Sequence, residues 1–436
     1  MSNSDKILLV NPPAPFLIDQ RVFANLGLVQ LATSLKTRGA DVEILDLCGN
    51  KNPEEAIKEV AYSFDIFGFS STTPQFLETN KLFKALKREN PQARTLIGGA
   101  HPSAMYALRQ GEDPNLNAIN KFDHIIVGEG ENLDLSSLKP GWQDAGFVKD
   151  IDQSPIPDRS LVDIKSYKYL LHGQEATTLV TQRGCPFKCS FCSGRSIDMY
   201  KKARSKSPQK VLEELDYLNR EFGYSAFMWF DDEVNVNPSR LVEISKLLQK
   251  RDYTHRGFIR SDLLVNHPET LDALVDAGFV ELCSGVESGS DEVLKRINKG
   301  TTTAQNFQAA EMIMGRGLKY KSFTILGHPG ETQADVEKTI QWLKEAKPHG
   351  FDVSILSPYP GSVIYDNSKP SVKYRGFDRE FNGLYFRQID YSCEESFFKG
   401  KPGEYVCNVR TDDLSSEDIL RMGDKMETEV KEVIRK

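Results

Sequence analysis

Short apolar runs, each separated from the next by enough residues for one helix, recur along the first third of this 436-residue chain. Five of them are typical of buried parallel strands, at residues 6–10, 41–45, 65–70, 94–98 and 123–127. Strands that alternate with helices predict a doubly wound, Rossmann-like α/β fold, whose ligands bind beyond the carboxyl ends of the strands. We predict such a domain over residues 1–138.

Small or polar residues follow four of these strands. They are Asn11 and Pro12; Ser70, Ser71, Thr72 and Pro74; Gly98, Gly99, His101 and Pro102; and Gly128, Glu129 and Gly130. Glycine and small hydroxyl residues allow the backbone to approach a bulky ligand closely. Ordinary tight turns explain any one of these loops, but the four together favour a ligand-binding edge.

A second series of strands and helices follows a proline-containing stretch, which we interpret as a linker over residues 139–170. Strands are predicted at residues 177–181, 226–230, 257–260, 280–284, 321–325 and 352–356, with helices between them such as 208–220 and 332–346. Six such units predict a partial barrel over residues 171–365, with its site at the carboxyl ends of the strands. Residues 366–436, with a helix at 415–434, are expected to form a small region that packs on the barrel mouth.

The composition limits the partners that the protein can have. Its 55 basic and 62 acidic residues give a formal charge of −7, which favours neither nucleic acid nor a membrane surface. A small-molecule or peptide substrate is therefore expected. No run approaches the ~18 to 20 apolar residues that span a bilayer, and the start of the chain lacks a signal region, so we expect a cytoplasmic protein.

Three of the seven cysteines lie together, with the spacing Cys-x3-Cys-x2-Cys. Cys185, Cys189 and Cys192 directly follow the first predicted strand of the barrel. Such a group indicates metal ligation in a reducing compartment rather than a disulfide framework. Three thiolates can hold three irons of a cubane and leave the fourth iron open. The alternative, a structural zinc site, needs a fourth ligand, and no nearby His or Cys supplies it.

With this loop in place, residues 177–365 resemble a radical S-adenosylmethionine (SAM) core. The first 365 residues are similar to the cobalamin-binding radical SAM family, in which a doubly wound cobalamin domain precedes that core. The resemblance implies three cofactors: a 4Fe-4S cluster held by the three cysteines, SAM at the open iron, and cobalamin. It also implies an electron donor such as flavodoxin or ferredoxin.

The resemblance further implies which residues contact SAM. Phe191 would place its backbone near the adenine, and Asp231, Asp232 and Glu233 would address the amino group. The implied contacts of the carboxylate and ribose are Arg260, Ser261, Glu287 and Ser288, and those on the adenine side are Leu326 and Gly327. Carboxylates suit an ammonium and arginine suits a carboxylate. A solvated acidic turn is the alternative interpretation of residues 231–233.

For the first domain, the resemblance makes the four strand-end loops a cradle for cobalamin, with Leu26 and Gly27 as a further wall. The Asp-x-His-x-x-Gly signature that supplies a lower axial imidazole in many cobalamin proteins is absent. Cobalt held without that histidine is therefore expected. His101 is the nearest candidate contact, although a lone histidine in a loop is more often a packing or hydrogen-bonding residue.

The implied chemistry is reductive cleavage of SAM to a 5′-deoxyadenosyl radical, which abstracts hydrogen from an unactivated carbon. Methyl transfer from methylcobalamin, to carbon or less commonly phosphorus in a specialised biosynthetic pathway, is the leading hypothesis. A radical cyclase or ring-rearrangement enzyme that uses cobalamin otherwise is the second. A non-enzymatic cobalamin carrier or sensor is the third, and the intact cluster cysteines argue against it. No acid–base residue is assigned.

Overall fold

The computed structural model describes residues 5–394 and 405–434, which form two units. Among the described residues, the first unit contains 5–168, 196–199 and 389–394, and the second contains 169–195, 200–388 and 405–434. Each unit is built on its own largely parallel sheet. The predicted mixed α/β architecture is confirmed for both sheets.

The sheet of the first unit has six parallel strands in the order β2-β1-β3-β4-β5-β6. The strands are β1 Lys6–Asn11, β2 Asp41–Asp46, β3 Ile66–Ser70, β4 Arg94–Gly98, β5 His124–Val127 and β6 Gly141–Asp144. The five predicted strands are confirmed as β1 to β5. β2 lies on one side of β1, and β3 to β6 lie on the other, so the strand order reverses at β1. Such a reversal opens a crevice at the carboxyl ends of β1 and β3.

Helices cover this sheet. They are α1 Leu26–Thr37, α2 Pro53–Glu59, α3 Phe76–Glu89, α4 Ala100–Met105 and α5 Leu116–Ile119. Ile7 and Leu9 of β1 pack with Leu28, Ala32 and Leu35 of α1 in a buried core. The apolar residues of α1 recur at spacings of three and four and therefore lie on one face of the helix. This face packs on the apolar side chains of the buried strand β1.

The stretch that we interpreted as a linker contributes a strand to the first unit. Within residues 139–168, β6 pairs in parallel with β5. Tyr167 donates a hydrogen bond from its hydroxyl to Asp46 (2.6 Å). Short 3-10 helices occupy Ile151–Gln153, Arg159–Leu161 and Ile164–Ser166. β6 carries no apolar run because it is a partly exposed edge strand, and hydrophobic periodicity therefore does not detect it.

The second unit contains a curved half-barrel sheet in the order β15-β14-β13-β12-β11-β8-β7. Its strands are β7 Tyr169–Leu171, β8 Gln174–Leu179, β11 Ala226–Trp229, β12 Thr254–Ile259, β13 Phe279–Glu287, β14 Lys319–Leu326 and β15 Gly350–Ile355, and a separate short ladder pairs β9 Gln182–Arg183 with β10 Arg204–Ser205. The six predicted strands are confirmed and run parallel. The antiparallel edge strand β7 was not predicted.

Helices α6 to α14 lie along residues 198–366 of the chain. They are α6 Asp198–Lys201, α7 Pro208–Phe222, α8 Pro238–Leu248, α9 Ser261–Asn266, α10 Glu269–Asp276, α11 Asp291–Arg296, α12 Thr303–Gly315, α13 Gln333–Ala346 and α14 Val363–Asp366. Ser207 caps α7, and Thr332 caps α13 in a capping box with Asp335. The predicted helices at 208–220 and 332–346 are confirmed.

The part of the chain after residue 366 contains a four-stranded antiparallel sheet and a long helix. The strands are β16 Lys369–Tyr374, β17 Phe377–Phe381, β18 Leu384–Phe386 and β19 Val409–Thr411, and the helix is α15 Ser416–Ile434. The sequence predicted the helix but not the sheet. α15 packs against β15 and α13. The Thr411 hydroxyl donates to the Glu331 carbonyl (2.8 Å), so this region contacts the loop after β14.

No helix in residues 5–394 and 405–434 has both the length and the apolar composition that a bilayer crossing requires.

Candidate functional site

The cysteine loop follows β8 and is held by hydrogen bonds with three other segments. The Cys185 amide donates to the Tyr200 carbonyl (2.9 Å), and the Ser190 amide donates to the Ile297 carbonyl (2.8 Å). The Ile364 amide donates to the Ser190 carbonyl (3.1 Å). These bonds fix the backbone on both sides of Cys189, so the loop has a defined shape.

Arg195 closes the loop from within. Its Nη2 atom donates to the carbonyls of Cys185 and Tyr200 (both 2.9 Å), and its Nη1 atom donates to the Phe187 carbonyl. One guanidinium with several N–H donors can satisfy three carbonyls of a tight turn at once. Arg195 is therefore a brace for the segment that carries the cysteines.

None of the three cysteines of the loop forms a disulfide; Cys185 and Cys189 are partly buried and Cys192 is exposed. Within the described part of the chain, no three His, Cys, Asp or Glu side chains converge on a point where a single metal ion would lie. A cubane does not need such convergence, because each thiolate binds a different iron. Burial raises the pKa of Cys185 to about 11, so iron must displace a proton there on binding.

Asp231, predicted to contact SAM, is buried and bound within the protein. Its Oδ1 atom accepts from the amides of Thr181 (2.6 Å) and Gln182 (2.9 Å), and its Oδ2 atom accepts from the Thr181 hydroxyl. These bonds tie the end of β11 to the segment that leads into the cysteine loop. Asp231 thus shapes the loop, whereas its neighbour Asp232 is exposed.

Glu233 has a carboxylate oxygen that suits an ammonium ligand. Its Oε2 atom is buried and has no hydrogen-bond partner. Burial raises the pKa of Glu233 to about 7, although the nearby cations Lys299 and Arg260 oppose the shift. A buried, unpartnered acceptor is costly unless a ligand supplies a donor. Of the three predicted acidic residues, Glu233 therefore has the clearest free acceptor.

The two predicted residues after β12 differ in their surroundings. Arg260 is buried against the cysteine loop, with its Nη1 atom 3.9 Å from Cys189 Sγ and its guanidinium carbon 3.7 Å from the centre of the Phe187 ring. Ser261, the first residue of α9, has a buried hydroxyl with no partner. The serine hydroxyl is therefore available to a ligand.

Glu287 ends β13 in the left-handed backbone region, with φ 63°. Its Oε1 atom accepts from Lys299 Nζ at 2.8 Å, and both side chains are buried. A Cβ atom on Gly285 would lie 2.2 Å from this oxygen, so any larger residue there would displace the Glu287 carboxylate from its present position. Ser288 is also buried, with its hydroxyl near that of Thr339 (3.3 Å).

The loop after β14 begins with Leu326, which is buried, and Gly327, whose φ of 89° favours glycine. Glu331 holds the loop because its Oε2 atom accepts from the amides of Gly327 (2.6 Å) and His328 (3.3 Å). Burial raises the pKa of Glu331 to about 8. The His328 ring centre lies 5.8 Å from that of Phe191, which joins this loop to the cysteine loop.

Unpartnered buried polar atoms concentrate in the segments that follow the strands of the second unit. They include Ser190 Oγ, Glu233 Oε2, Arg260 Nε, Ser261 Oγ, Asp262 Oδ1, Thr301 Oγ1, both ring nitrogens of His328, and Glu331 Oε1. Buried polar groups in proteins nearly always have partners, so such a group of exceptions indicates a polar ligand. Acceptors, hydroxyls and ring nitrogens fit the amino acid and nucleoside parts of SAM.

At the carboxyl edge of the first sheet, Asn11 and Asn25 form a linked pair. Asn25 Nδ2 donates to Asn11 Oδ1 (3.0 Å), and Asn11 Nδ2 donates to Asp46 Oδ1 (2.9 Å). Asn25 also caps α1 through the Leu28 amide, and so fixes the predicted wall at Leu26 and Gly27. Pro12 accepts a bond from Gln75 Nε2 at 3.2 Å.

The loops after β3 and β4 interlock. Ser71 is fully buried; its carbonyl accepts from the His101 amide (2.9 Å), and its amide donates to Gly98. A Cβ atom on Gly99, which has φ 101°, would lie 2.9 Å from the Ser71 carbonyl oxygen. Thr72, in contrast, is exposed. It begins the 3-10 helix Thr73–Gln75, which contains Pro74.

His101 is fully buried, and so is Pro102 beside it. The His101 Nδ1 atom lies 3.1 Å from Thr73 Oγ1, and its ring packs 4.2 Å from that of Phe76. Burial lowers the pKa of His101 to about 3, so its imidazole is neutral. These contacts are those of a packing residue, whereas the Nε2 atom is buried without a hydrogen-bond partner, so contact with cobalamin stays a prediction.

The loop after β5 has room only for glycine at its start. Gly128 has φ 87°, and a Cβ atom there would lie 2.2 Å from the Gly146 carbonyl oxygen. The Val148 amide donates to Glu129 Oε2 (2.6 Å). A Cβ atom on Gly130 would meet Leu31 of α1 at 3.2 Å. The backbone of this loop therefore lies close to neighbouring segments.

Sequence reasoning missed several residues that organise these sites. Lys299 binds the Glu287 carboxylate, and Asn235 binds the backbone of Arg260. The partners in each pair are far apart in the sequence, so no local pattern reveals them. Asp46 accepts from Arg21 at 2.5 Å and from two further side chains. Its position as the last residue of β2, at a polar strand end, is a signal that could have found it.

Two protein-family models match the chain in sequence. A B12 binding domain model matches residues 20–135, and a Radical SAM superfamily model matches residues 179–343. The first includes most of the sheet of the first unit, and the second runs from the end of β8 into α13.

Named relatives agree with these models. An uncharacterized methyltransferase of Pyrococcus horikoshii is 28% identical over 382 residues, which cover 83% of this chain and 82% of the relative. An anaerobic magnesium-protoporphyrin IX monomethyl ester cyclase of Rubrivivax gelatinosus is 25% identical over 379 residues, which cover 80% of this chain and 67% of the relative.

A solved structure shares the fold. The radical S-adenosylmethionine methyltransferase TsrM from Kitasatospora setae, with cobalamin and a 4Fe-4S cluster bound, aligns over 99% of this chain and 91% of its own. The TM-score is 0.69 at 16% identity. Because the two family models match in the order in which the two sheets occur, the chain belongs to the cobalamin-binding radical SAM family.

Proposed function

We propose that this protein is a cobalamin-dependent radical SAM methyltransferase that acts on an unactivated carbon of a small molecule or peptide. One observation carries the proposal: buried polar atoms without partners lie in the segments that follow the strands of the half-barrel sheet. The first of these segments also contains Cys185, Cys189 and Cys192. The methyltransferase names among the relatives support transfer of a methyl group over other uses of the radical.

In this proposal, the three cysteines hold the cluster, and Glu233 and Ser261 receive the polar groups of SAM. The cluster, SAM and cobalamin, when bound, supply radical formation and the methyl group. Arg195 keeps the cysteine loop in shape, and Glu331 holds the backbone of residues 327–328. Phe191 and His328 form an aromatic contact between the cysteine loop and the loop after β14.

We assign cobalamin to the carboxyl edge of the first sheet, along the loops after β1, β3, β4 and β5. The close backbone approaches at Gly99 and Gly128 support this assignment, because they draw the loops together and leave exposed residues such as Thr72 on the outer side. Replacing Thr72 with Trp should block cobalamin binding, measured by the absorbance of hydroxocobalamin on the purified protein. Thr37→Trp, also exposed but at the end of α1, should bind normally.

The reaction is tested with anaerobically reconstituted protein, SAM and a strong reductant, by mass spectrometry of 5′-deoxyadenosine and S-adenosylhomocysteine. Deoxyadenosine should form in the wild type and in Cys393→Ala, an exposed cysteine outside the loop, and should be lost in Cys189→Ala. S-adenosylhomocysteine that forms only when cobalamin is present supports methyl transfer. Neither product from protein with a full cluster would refute the proposal.

A second candidate function is a radical cyclisation that uses cobalamin without methyl transfer. The cyclase of Rubrivivax gelatinosus, whose similarity to this chain extends over most of both units, favours it. Deoxyadenosine without S-adenosylhomocysteine, in the presence of cobalamin and a turned-over substrate, would select this function.

We further propose that a low-potential one-electron carrier such as flavodoxin or ferredoxin reduces the protein in the cytoplasm. The support is the chemistry: reductive cleavage of SAM needs one electron per event, and the loop thiols must stay reduced to bind iron. Replacement of the chemical reductant by reduced flavodoxin should sustain deoxyadenosine formation.

A further inference from the structure

Arg260 at the end of β12 is directed toward the cysteine loop. Its Nη1 atom lies 3.9 Å from Cys189 Sγ, and its guanidinium carbon lies 3.7 Å from the centre of the Phe187 ring. Its Nη2 atom donates to the Lys299 carbonyl. The guanidinium is therefore held in a fixed place beside one of the cluster-binding sulfurs.

The backbone of Arg260 is also locked. Its amide donates to Asn235 Oδ1 (3.0 Å), and Asn235 Nδ2 donates back to the Arg260 carbonyl (3.0 Å). Both residues are buried. This reciprocal pair fixes the backbone from which the side chain extends, and the contacts with the Phe187 ring and the Lys299 carbonyl hold the guanidinium beside the loop.

The charge of Arg260 is only partly balanced at this place. Asp262 Oδ1 lies 2.8 Å from Arg260 Nε, but the Asp262 side chain is 15% exposed and that of Arg260 only 2%. The Oδ1 atom that faces Arg260 is buried, but it and Arg260 Nε form no hydrogen bond, so the pair is joined by charge alone. The other buried cation nearby, Lys299, is paired with the buried Glu287. Arg260 therefore places a positive charge 3.9 Å from Cys189 Sγ, and the acidic groups nearest to this charge are Asp262 and Glu233.

We propose that Arg260 raises the reduction potential of the cluster that Cys189 helps to hold, as a positioning residue rather than a SAM ligand. The inference rests on the proposed function. Reduction adds one electron, and hence one negative charge, which a fixed cation beside a ligand sulfur stabilises. Charges and hydrogen bonds around the sulfurs are known determinants of cluster potentials.

The test is a redox titration of the reconstituted protein without SAM, followed by electron paramagnetic resonance of the reduced cluster. In Arg260→Gln, we expect the ratio of reduced to oxidised cluster at a fixed potential to fall at least tenfold, a negative shift of 59 mV for one electron. Asp262→Asn removes the balancing charge without touching the arginine, and should shift the potential in the positive direction.

Arg256→Gln is the matched control. Arg256 lies four residues earlier in the same strand, about 13 Å away at the rise of a β-strand. It is paired with Glu281 at 2.8 Å, so its removal should leave the potential unchanged. If the Arg260→Gln variant does not bind a cluster, Asp262→Asn provides the test: a positive shift of its reduction potential supports the inference, and a negative or absent shift contradicts it.

Unchanged potentials in Arg260→Gln and Asp262→Asn, with full cluster content, would overturn the inference while leaving the proposed function intact. A negative shift in Arg256→Gln as large as that in Arg260→Gln would also overturn the inference, because it would indicate a general effect of lost positive charge. Failure of the wild type to bind a cluster would instead refute the proposed function, and this inference with it.

Discussion

Three buried carboxylates of the second unit follow strands in the same way but differ in their hydrogen bonds. Asp231 satisfies three donors of the segment before the cysteine loop, and Glu331 satisfies two amides after β14. Glu233 keeps a buried oxygen without a partner. Glu331 combines both situations, because its Oε1 atom is also buried without a partner while its Oε2 atom holds the loop. The sequence marks all three as acidic residues near strand ends, but only the hydrogen bonds distinguish the oxygens that hold the protein from those that are open to a ligand.

Asp231→Ala should destabilise the protein by at least about 3 kcal/mol, because it leaves buried donors of Thr181 and Gln182 unsatisfied at ~1 to 3 kcal/mol each. Denaturant unfolding of the protein under anaerobic conditions measures this. Asp232→Ala, at the exposed neighbouring position, should change the stability by less than about 0.5 kcal/mol. Equal effects of the two variants would contradict the assigned role.

Glu331 should make stability depend on pH. Burial raises its pKa from 4.5 to about 8, so between these values the folded protein holds a proton that the unfolded chain has released. Stability from this group is complete below pH 4.5 and is lost as the pH rises through 8, at up to about 1.4 kcal/mol per pH unit.

Glu331→Gln removes the titration while it keeps one oxygen for the amides of Gly327 and His328. Relative to wild type, this variant should gain stability as the pH rises from 5 to 8, in urea unfolding of the protein without SAM. A constant difference across that range would show that Glu331 is not protonated in the folded protein.

At the scale of elements, the turns that follow the strands carry steric constraints that their glycines satisfy. Gly128 and Gly141 both have positive φ, but only Gly128 faces a carbonyl oxygen, that of Gly146. Positive φ alone costs a side chain about 1 to 2 kcal/mol. A clash with backbone adds to it, since the loop must move.

Gly128→Ala should therefore lower the free energy of unfolding by about 2 kcal/mol more than Gly141→Ala. It should also weaken hydroxocobalamin binding, because the loop after β5 must shift. Denaturant unfolding and absorbance titration on both variants check the two effects. Similar stability of the two variants would indicate that the loop relaxes freely around residue 128.

Elements with a strong local pattern were predicted from the sequence, and those without one were not. β1 and β3 are nearly continuous apolar runs, whereas the edge strands β6 and β7 are short and partly exposed. The strands β16 to β19 lie in a polar, aromatic stretch that resembles no periodic template. Cysteine spacing predicted the loop, but the contact of Arg260 with the Lys299 carbonyl spans 39 residues and has no local signal.

At the scale of the whole molecule, each unit has its own sheet and its own proposed cofactors. A ligand that binds only the folded state stabilises what it binds, by about 2.7 kcal/mol at one hundred times its dissociation constant. Cobalamin should therefore make unfolding of the first unit less favourable. SAM, bound to protein that holds a cluster, should do the same for the second unit.

Hydrogen exchange with mass spectrometry can separate these responses. Saturating hydroxocobalamin should slow exchange most in peptides from residues 5–168, and SAM should do so most in peptides from 169–366. Cobalamin protection confined to the second range would contradict the assignment of cobalamin to the first sheet. The Cys189→Ala variant, which should lose the SAM response alone, is the control.

The bonds that hold the cysteine loop come from Tyr200, Ile297, Ile364 and Arg195, and none of them passes through a sulfur atom. Oxygen damage that strips iron from such a loop leaves its supports in place. The protein should then be repairable by fresh iron and sulfide alone, without a chaperone or a new round of synthesis. A cell that passes between air and anoxia could keep its existing copies and recharge them.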